Sequence, residues 1–546
     1  MTLSHRWDVH GKLCTTIVSN IEQRMQRILA SELPKVFEEA IQLTRCLGVR
    51  YLWIDSLCIV QGDGGDFESE AMTMGNVYAH SMLNIEATAG NSSLLQPRNP
   101  RIIAPCVVRS HWKGIKSIRY VVSDFRYWDS RIHRSVCNTR AWITQERWLS
   151  PRVLHFTFDQ LIWECCELEA GETYPQGLPK EIKSQSSTGF KKLGCGTASK
   201  KISGKINPND YNRVLADWGD VLLTYTRAEL TNSSDRLVAV AGLAAKFSKI
   251  LDDEWLAGLW RKNLPGELLW RVDKTRRSNK PPDPVDIVAE FGLGINRTHR
   301  VHLSERLKGS LYEAPSWSWA SVLGDIVPGY SMPDGSEDSM IDILDVKLIA
   351  LDPSVPLGRF IGGTLKLRGA LYPMAMDPPD WTPEAAKKDY MLRPPTIYIS
   401  GLDMADFQDP MNLGLAEQMR DLYLKTGTPM PKMHTHVVHL RADEPIDYAD
   451  LARSCFLPVR YHTLHKPGSQ YHGNTLVCGL ALMPTGERGE YARLGTVDFG
   501  GDNVHLFIDG VKVQRAGEEA LGLKAHPPTQ DAILYVENEV GVFTIV

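Results

Sequence analysis

Apolar residues recur at helical spacing between Leu33 and Leu47, where Val36, Phe37, Ala40, Ile41, Leu43 and Leu47 follow a Ser-Glu-Leu-Pro start suited to a helix N-terminus. After Gly48 the pattern changes. Tyr51 to Val60 is a nearly continuous apolar run, as expected of a strand buried on both faces in a parallel sheet. A Gly-rich acidic loop at 63–66 precedes a helical pattern from Glu68 to Ala79, and Met82 to Thr88 reads as another strand. Helix, strand, helix, strand is the order of an α/β domain with a mostly parallel sheet flanked by helices. Such sheets place their sites at the carboxyl ends of the strands, and Asp55 and Cys58 fall near one such end.

The later chain changes character twice. Residues 181–209 are rich in Ser, Lys, Gly and Thr and nearly free of large apolar side chains, which predicts a linker. From 210 to 320 the spacing is mainly helical, with an inserted loop near 271–303 marked by Lys-Pro-Pro-Asp-Pro. Beyond 321, short alternating runs such as Thr364–Gly369 and Thr475–Leu482 predict a β-rich C-terminal region.

Composition narrows the function classes. At 546 residues the chain exceeds what one core serves, so several domains are expected. A formal net charge of −4 gives no global electrostatic case for nucleic acid as a partner. The sequence has no basic start followed by an apolar leader and no apolar run long enough to span a membrane, which points to a cytoplasmic protein. The ten cysteines show no CxxC pairing, against a zinc ribbon or disulfide framework. His434, His436 and His439 suggest a metal cluster, but on a strand the third faces away from the first two, and no metal site is assigned. Asp63, Asp66, Glu68 and Glu70 lack the donor alternation of a calcium loop. Rossmann, P-loop and Gly-x-Ser-x-Gly patterns are absent, and no cofactor is assigned.

The segment Arg50 to Gln61 resembles the signature of HET domains, found in fungal heterokaryon-incompatibility proteins. Glu70, Met74, Val77 and Tyr78, then Leu83 to Ala87, and then Arg140 to Arg147 with Leu149 to Phe156, are similar to that family's later blocks in order and spacing. The resemblance implies a HET domain over 1–168. Motifs between Leu230 and Ala320, including Ala314-Pro-Ser-Trp-Ser-Trp-Ala320, are similar to the region that follows such domains. The start departs from the family pattern: Leu3-Ser4-His5-Arg6-Trp7-Asp8 follows the initiator directly, so a truncated first strand is expected.

The family's remote likeness to Toll/interleukin-receptor (TIR) domains implies regulated cell death, with NAD+ as a substrate cleaved at its nicotinamide bond. Trp142-Ile-Thr-Gln145-Glu146 resembles the arrangement around the catalytic glutamate of those domains, which makes Glu146 the candidate catalytic residue. Four residues apart on a helix, Trp142 could wall a pocket holding Glu146. Ser4, Arg6 and Trp7 at the first strand end, with Asp55, Ser56 and Cys58 at the next, would line the same edge, with Gln145 nearby and Arg140 meeting a phosphate. Plainer roles stand beside these: Trp142 in a core, Asp55 capping a turn, Cys58 as a buried small hydrophobe, and Glu146 paired with Arg147 or Arg140 on a solvated face. The alternative to an enzyme is a signalling adaptor that acts by HET-domain self-association or through an incompatibility partner. A DNA-binding regulator finds no motif.

Overall fold

The computed structural model describes residues 1–7, 14–90, 93–104, 106–110, 118–124, 126–183, 191, 208–273, 314–329, 338–353, 357–376, 397–399, 436–443, 454–463, 475–500, 508 and 540–546. The chain forms two compact units, Met1–Asp253 with Ser354–Arg359, and Glu254–Pro353 with Phe360–Val546. Most of the expected linker, at 184–190 and 192–207, lies outside the described residues, as do residues 274–303 of the expected loop insertion and His434.

The first unit is built on a six-stranded sheet. Its strands are β1 (Thr2–Ser4), β2 (Trp53–Ile54), β3 (Asn84–Glu86), β4 (Arg152–Phe156), β5 (Leu161–Cys165) and β6 (Glu169–Gly171), in the spatial order β6-β5-β4-β3-β1-β2. The four strands β2, β1, β3 and β4 run parallel, and β5 and β6 add antiparallel edges. The parallel core matches the expected mostly parallel α/β sheet. Three-residue β1 occupies an interior position between β3 and β2, with Leu3 opposite Ile85 and Ile54.

Helix α1 (Lys35–Cys46) and helix α2 (Phe67–Ala79) form where the apolar periodicity places them. Val36, Phe37 and Ala40 of α1 pack on Leu3, Ile54 and Ile85, which dry one face of the sheet. Helix α3 (Ala141–Leu149) and helix α5 (Val238–Leu251), which follows α4 (Pro208–Thr226), join α2 in a helical layer. At its centre α2 and α5 meet backbone to backbone, because a Cβ on Gly75 would lie 3.1 Å from the Gly242 Cα. This unit therefore extends past residue 168 and takes in the first helices of the 210–320 region.

One expectation fails. The run from Tyr51 to Val60 is not a single strand: β2 spans two residues, Asp55–Cys58 make a helical turn, and Val60–Gln61 pairs in parallel with Thr16–Ile17. The Asp55 carboxylate accepts from the Ser56 N–H at 2.7 Å, and the Asp55 carbonyl from the Ile59 N–H at 3.0 Å. Local hydrogen bonding at an Asp-Ser pair thus ends the ladder despite the apolar neighbours.

In the second unit, the described residues include a ten-stranded sheet. Phe360–Ala370 and Thr475–Pro484 contain the two alternating runs that predicted a β-rich C-terminal region. The strand His436–Ala442 carries His436 and His439. In the interior of this unit, Arg493 pairs with Asp443 at 2.8 Å and stacks over the Trp270 ring at 3.5 Å. No helix among the described residues is long and apolar enough to cross a membrane.

Candidate functional site

Strand alternation creates the site. Leu3, Ile54 and Ile85 face the α1 side, so Thr2, Ser4, Asn84 and Glu86 face the other way, beneath the helical layer. All four are buried. A polar strand face of this kind would ordinarily meet water. Here α3 covers it, and each polar group finds a partner on the sheet or the helix above.

Glu146 projects from α3 onto this face and is 2% exposed. Its carboxylate accepts from the Ser4 hydroxyl. Behind Ser4, the Asn84 amide donates to the Ser4 Oγ at 3.0 Å, and Thr2 donates to the Asn84 Oδ1 at 3.0 Å. Tyr78 of α2 brings its hydroxyl to the same carboxylate and to the Leu3 carbonyl, the latter at 3.4 Å. Burial, then the negative charge of Asp55, push the Glu146 carboxyl up to about 8, although the Ser4 bond and Arg140 oppose the shift. At neutral pH Glu146 is therefore mostly a neutral acid.

Asp55 sits at the rim. It accepts from the Trp7 indole at 2.8 Å and lies 3.7 Å from the His5 ring. His5 packs edge-on against Phe37, and burial lowers its pKa, so the ring stands beside Asp55 as a neutral imidazole. Arg140 donates to the His5 carbonyl at 2.8 Å, with its guanidinium 5.7 Å from the centre of the Trp7 ring. Ser4, Trp7, Asp55, Arg140 and Glu146 thus converge at the carboxyl ends of β1 and β2. Ser56 is buried beside them, and its hydroxyl makes no hydrogen bond. Arg6 is half-buried in the same loop.

Three other predicted residues stand elsewhere. The Trp142 ring meets Phe67 edge-on, 6.0 Å between centroids, and Trp142 hydrogen-bonds Asp235, so it is engaged by the N-terminal turn of α2 and by Asp235. Gln145 accepts from the Gly242 N–H at 2.7 Å and joins α3 to α5. Cys58 is exposed on the short turn, not buried as a small hydrophobe. Glu146 itself is not on a solvated face, and Arg147 turns to a separate buried network.

That network shares the polar sheet face. Arg147 grips Glu164 at 2.8 and 3.3 Å, His155 reaches Glu164 at 3.0 Å and Glu86 at 3.2 Å, and Asn138 donates to Glu86 at 2.5 Å. Burial works against the His155 cation, but the flanking Glu86 and Glu164 outweigh it and raise its pKa. Burial likewise opposes the Glu164 anion, yet Arg147, Lys191 and His155 hold it well below the usual carboxylate range. Neighbouring carboxylates on one sheet face thus take opposite states, with Glu146 neutral and Glu164 ionised.

Tyr78, Asn84 and His5 are the site residues that sequence reasoning missed. The helical stripe Ala71, Met74, Tyr78 marks Tyr78 as inward-facing, and a buried tyrosine usually brings its hydroxyl to a partner. Among the described residues, no group of three or more His, Cys, Asp or Glu side chains is arranged to hold a metal.

No curated protein and no solved structure matches the chain. Residues 1–146 match the family model described as Heterokaryon incompatibility protein (HET). That span contains β1, β2, β3, α1 and α2 and closes on Glu146, so the chain contains a HET domain, which suggests a function of the heterokaryon-incompatibility type.

Proposed function

We propose that this chain promotes regulated cell death in fungal self/non-self recognition, acting in the cytoplasm, and that its HET domain does so by cleaving NAD+ at the nicotinamide–ribose bond. The reading rests on one observation: Glu146 meets Ser4 at the carboxyl ends of the parallel strands, with Asp55 and Arg140 at the rim. In the cleavage both electrons of the bond leave with nicotinamide, which departs neutral, and the ribose becomes oxocarbenium-like. An ionised Glu146 would stabilise that charge, and water would add to the ribose and release a proton. Arg140 suits a phosphate of the substrate. A carboxyl titrating near 8 is mostly protonated in the free chain, so kcat/KM should rise with pH up to about 8. The TIR-like arrangement around Glu146 belongs to the same proposal.

A separate observation favours the adaptor reading. Val18 and Met25 are apolar side chains that expose 54% and 81% of their surface, whereas Glu146 is buried in the single chain. Assembly that uncovers Glu146 would reconcile the two. The test is expression of the parent chain and Glu146→Gln at matched levels in fungal cells, with self-association measured alongside. Death with the parent and survival with an equally assembled Glu146→Gln supports the enzyme; equal killing by both assigns the function to assembly alone.

A further inference from the structure

A cavity of about 340 Å³ lies in the first unit, lined by the C-terminal turns of α2, the end of α3 and the turn after it, α5, Leu357 and Lys191. It is separate from the Glu146 site. Ser150, which lines it, donates to the Glu146 backbone carbonyl at 2.7 Å, whereas the Glu146 side chain is bonded to Ser4 on the sheet. Its volume is that of a small-molecule site.

The lining is one-sided in charge. Lys191, Lys246 and Lys249 contribute three ammonium-bearing side chains, Asn76 adds an amide, and no Asp or Glu is among the described residues that line it. Lys246 and Lys249 stand three apart on α5 and so share a face, while Lys191 comes from a different part of the chain. Lys191 is 5% exposed, and its Nζ makes no hydrogen bond. It lies 3.6 Å from Glu164, but that carboxylate already carries Arg147 and His155. Burial pushes the Lys191 ammonium down to about 8 against the pull of Glu164. The Lys191 ammonium shares Glu164 with Arg147 and His155, and an anionic ligand in the cavity would give it an acceptor of its own at hydrogen-bond distance.

Helix dipoles give a structural reason for lysines here, because α2, α3 and α5 all end near the cavity. Each C-terminus carries about half a negative charge, which favours a lysine there without placing a carboxylate among the described lining residues. Lysine is also a point-charge binder of phosphate, and cations on two walls suit an extended anion better than a single carboxylate.

We propose that this cavity binds a small molecule through a diphosphate group held by Lys191, Lys246 and Lys249. The test is calorimetric titration of the full chain with inorganic pyrophosphate. Saturable one-site binding is expected in the parent and in Glu146→Gln, and in Lys35→Ala, which removes a surface lysine of α1. Lys246→Ala/Lys249→Ala should weaken it by about a hundredfold, the loss of two charge-assisted hydrogen bonds. Lys191→Met, checked by circular dichroism for folding, should weaken it as well. Absence of saturable binding to the folded parent, an unchanged affinity in the double variant, or an equal loss in Lys35→Ala would each overturn the proposal.

Discussion

Replacing Glu146 with Gln should stabilise this protein at alkaline pH while leaving it unchanged in acid. Folded, the Glu146 carboxyl titrates at about 8 rather than 4.5, because burial and the nearby Asp55 penalise its anion. At about 1.4 kcal/mol per pH unit, holding that anion in the fold costs on the order of 5 kcal/mol, an upper figure for so buried a group. The sign follows from the raised folded value: the neutral acid contributes fully below pH 4.5, and that contribution is lost as pH rises to about 8. Gln keeps the carbonyl that accepts from Ser4 and presents donors where the neutral acid has its proton. Parent and variant should therefore unfold together near pH 5, diverge as pH rises, and differ by a constant amount above about pH 8. Hydrogen exchange of peptides from β1 and α3, followed from pH 5 to 9 with chemical exchange rates corrected, reads the effect within the HET unit. A gap between variant and parent that does not widen with pH would refute the assignment of a neutral buried Glu146.

Two further substitutions probe the scaffold around the site. Arg147→Met leaves the fully buried Glu164 with only His155 and Lys191 and should cost about 3 kcal/mol in urea unfolding, the low end for a broken buried pair because those two cations remain, whereas a loss below about 1 kcal/mol would show that the pair contributes little. In Gly242→Ala the new Cβ would lie 2.6 Å from the Gln145 Oε1 and 3.1 Å from the Gly75 Cα, and Gln145 cannot yield without losing its bond to the Gly242 N–H. Crowding of about 1–3 kcal/mol should outweigh the better helix propensity of Ala, and an unchanged or raised melting temperature would contradict the close α2–α5 crossing.

Elements whose pattern is set by one buried face were legible in the sequence. Val36, Phe37 and Ala40 mark the buried stripe of α1, and Asn84–Glu86 lies inside the strand expected from Met82 to Thr88. The carboxyl edge was legible in part: βα order places Asp55 near a strand end, whereas Ser4 entered through the resemblance to the opening strand of HET domains. Asp55 was harder: its carboxylate competes for backbone donors, and that competition divides an apolar run that periodicity reads as one strand. Trp142 and Gln145 show a different limit. Both lie within a turn of Glu146, yet their partners, Phe67, Asp235 and Gly242, come from distant segments that no local pattern specifies. The polar sheet face misleads in the same way, since alternation in Thr2-Leu3-Ser4 and Asn84-Ile85-Glu86 signals a wet surface until α3 is placed on it.

The most direct measurement is NAD+ consumption over time by the purified full chain at high concentration, beside Glu146→Gln of matched fold and assembly. Nicotinamide release by the parent, rising with pH up to about 8, is expected, and none by the variant. NAD+ left intact by a folded, assembled parent, or consumed equally by Glu146→Gln, would contradict it and leave Glu146 as a buried acid that ties α3 to the sheet.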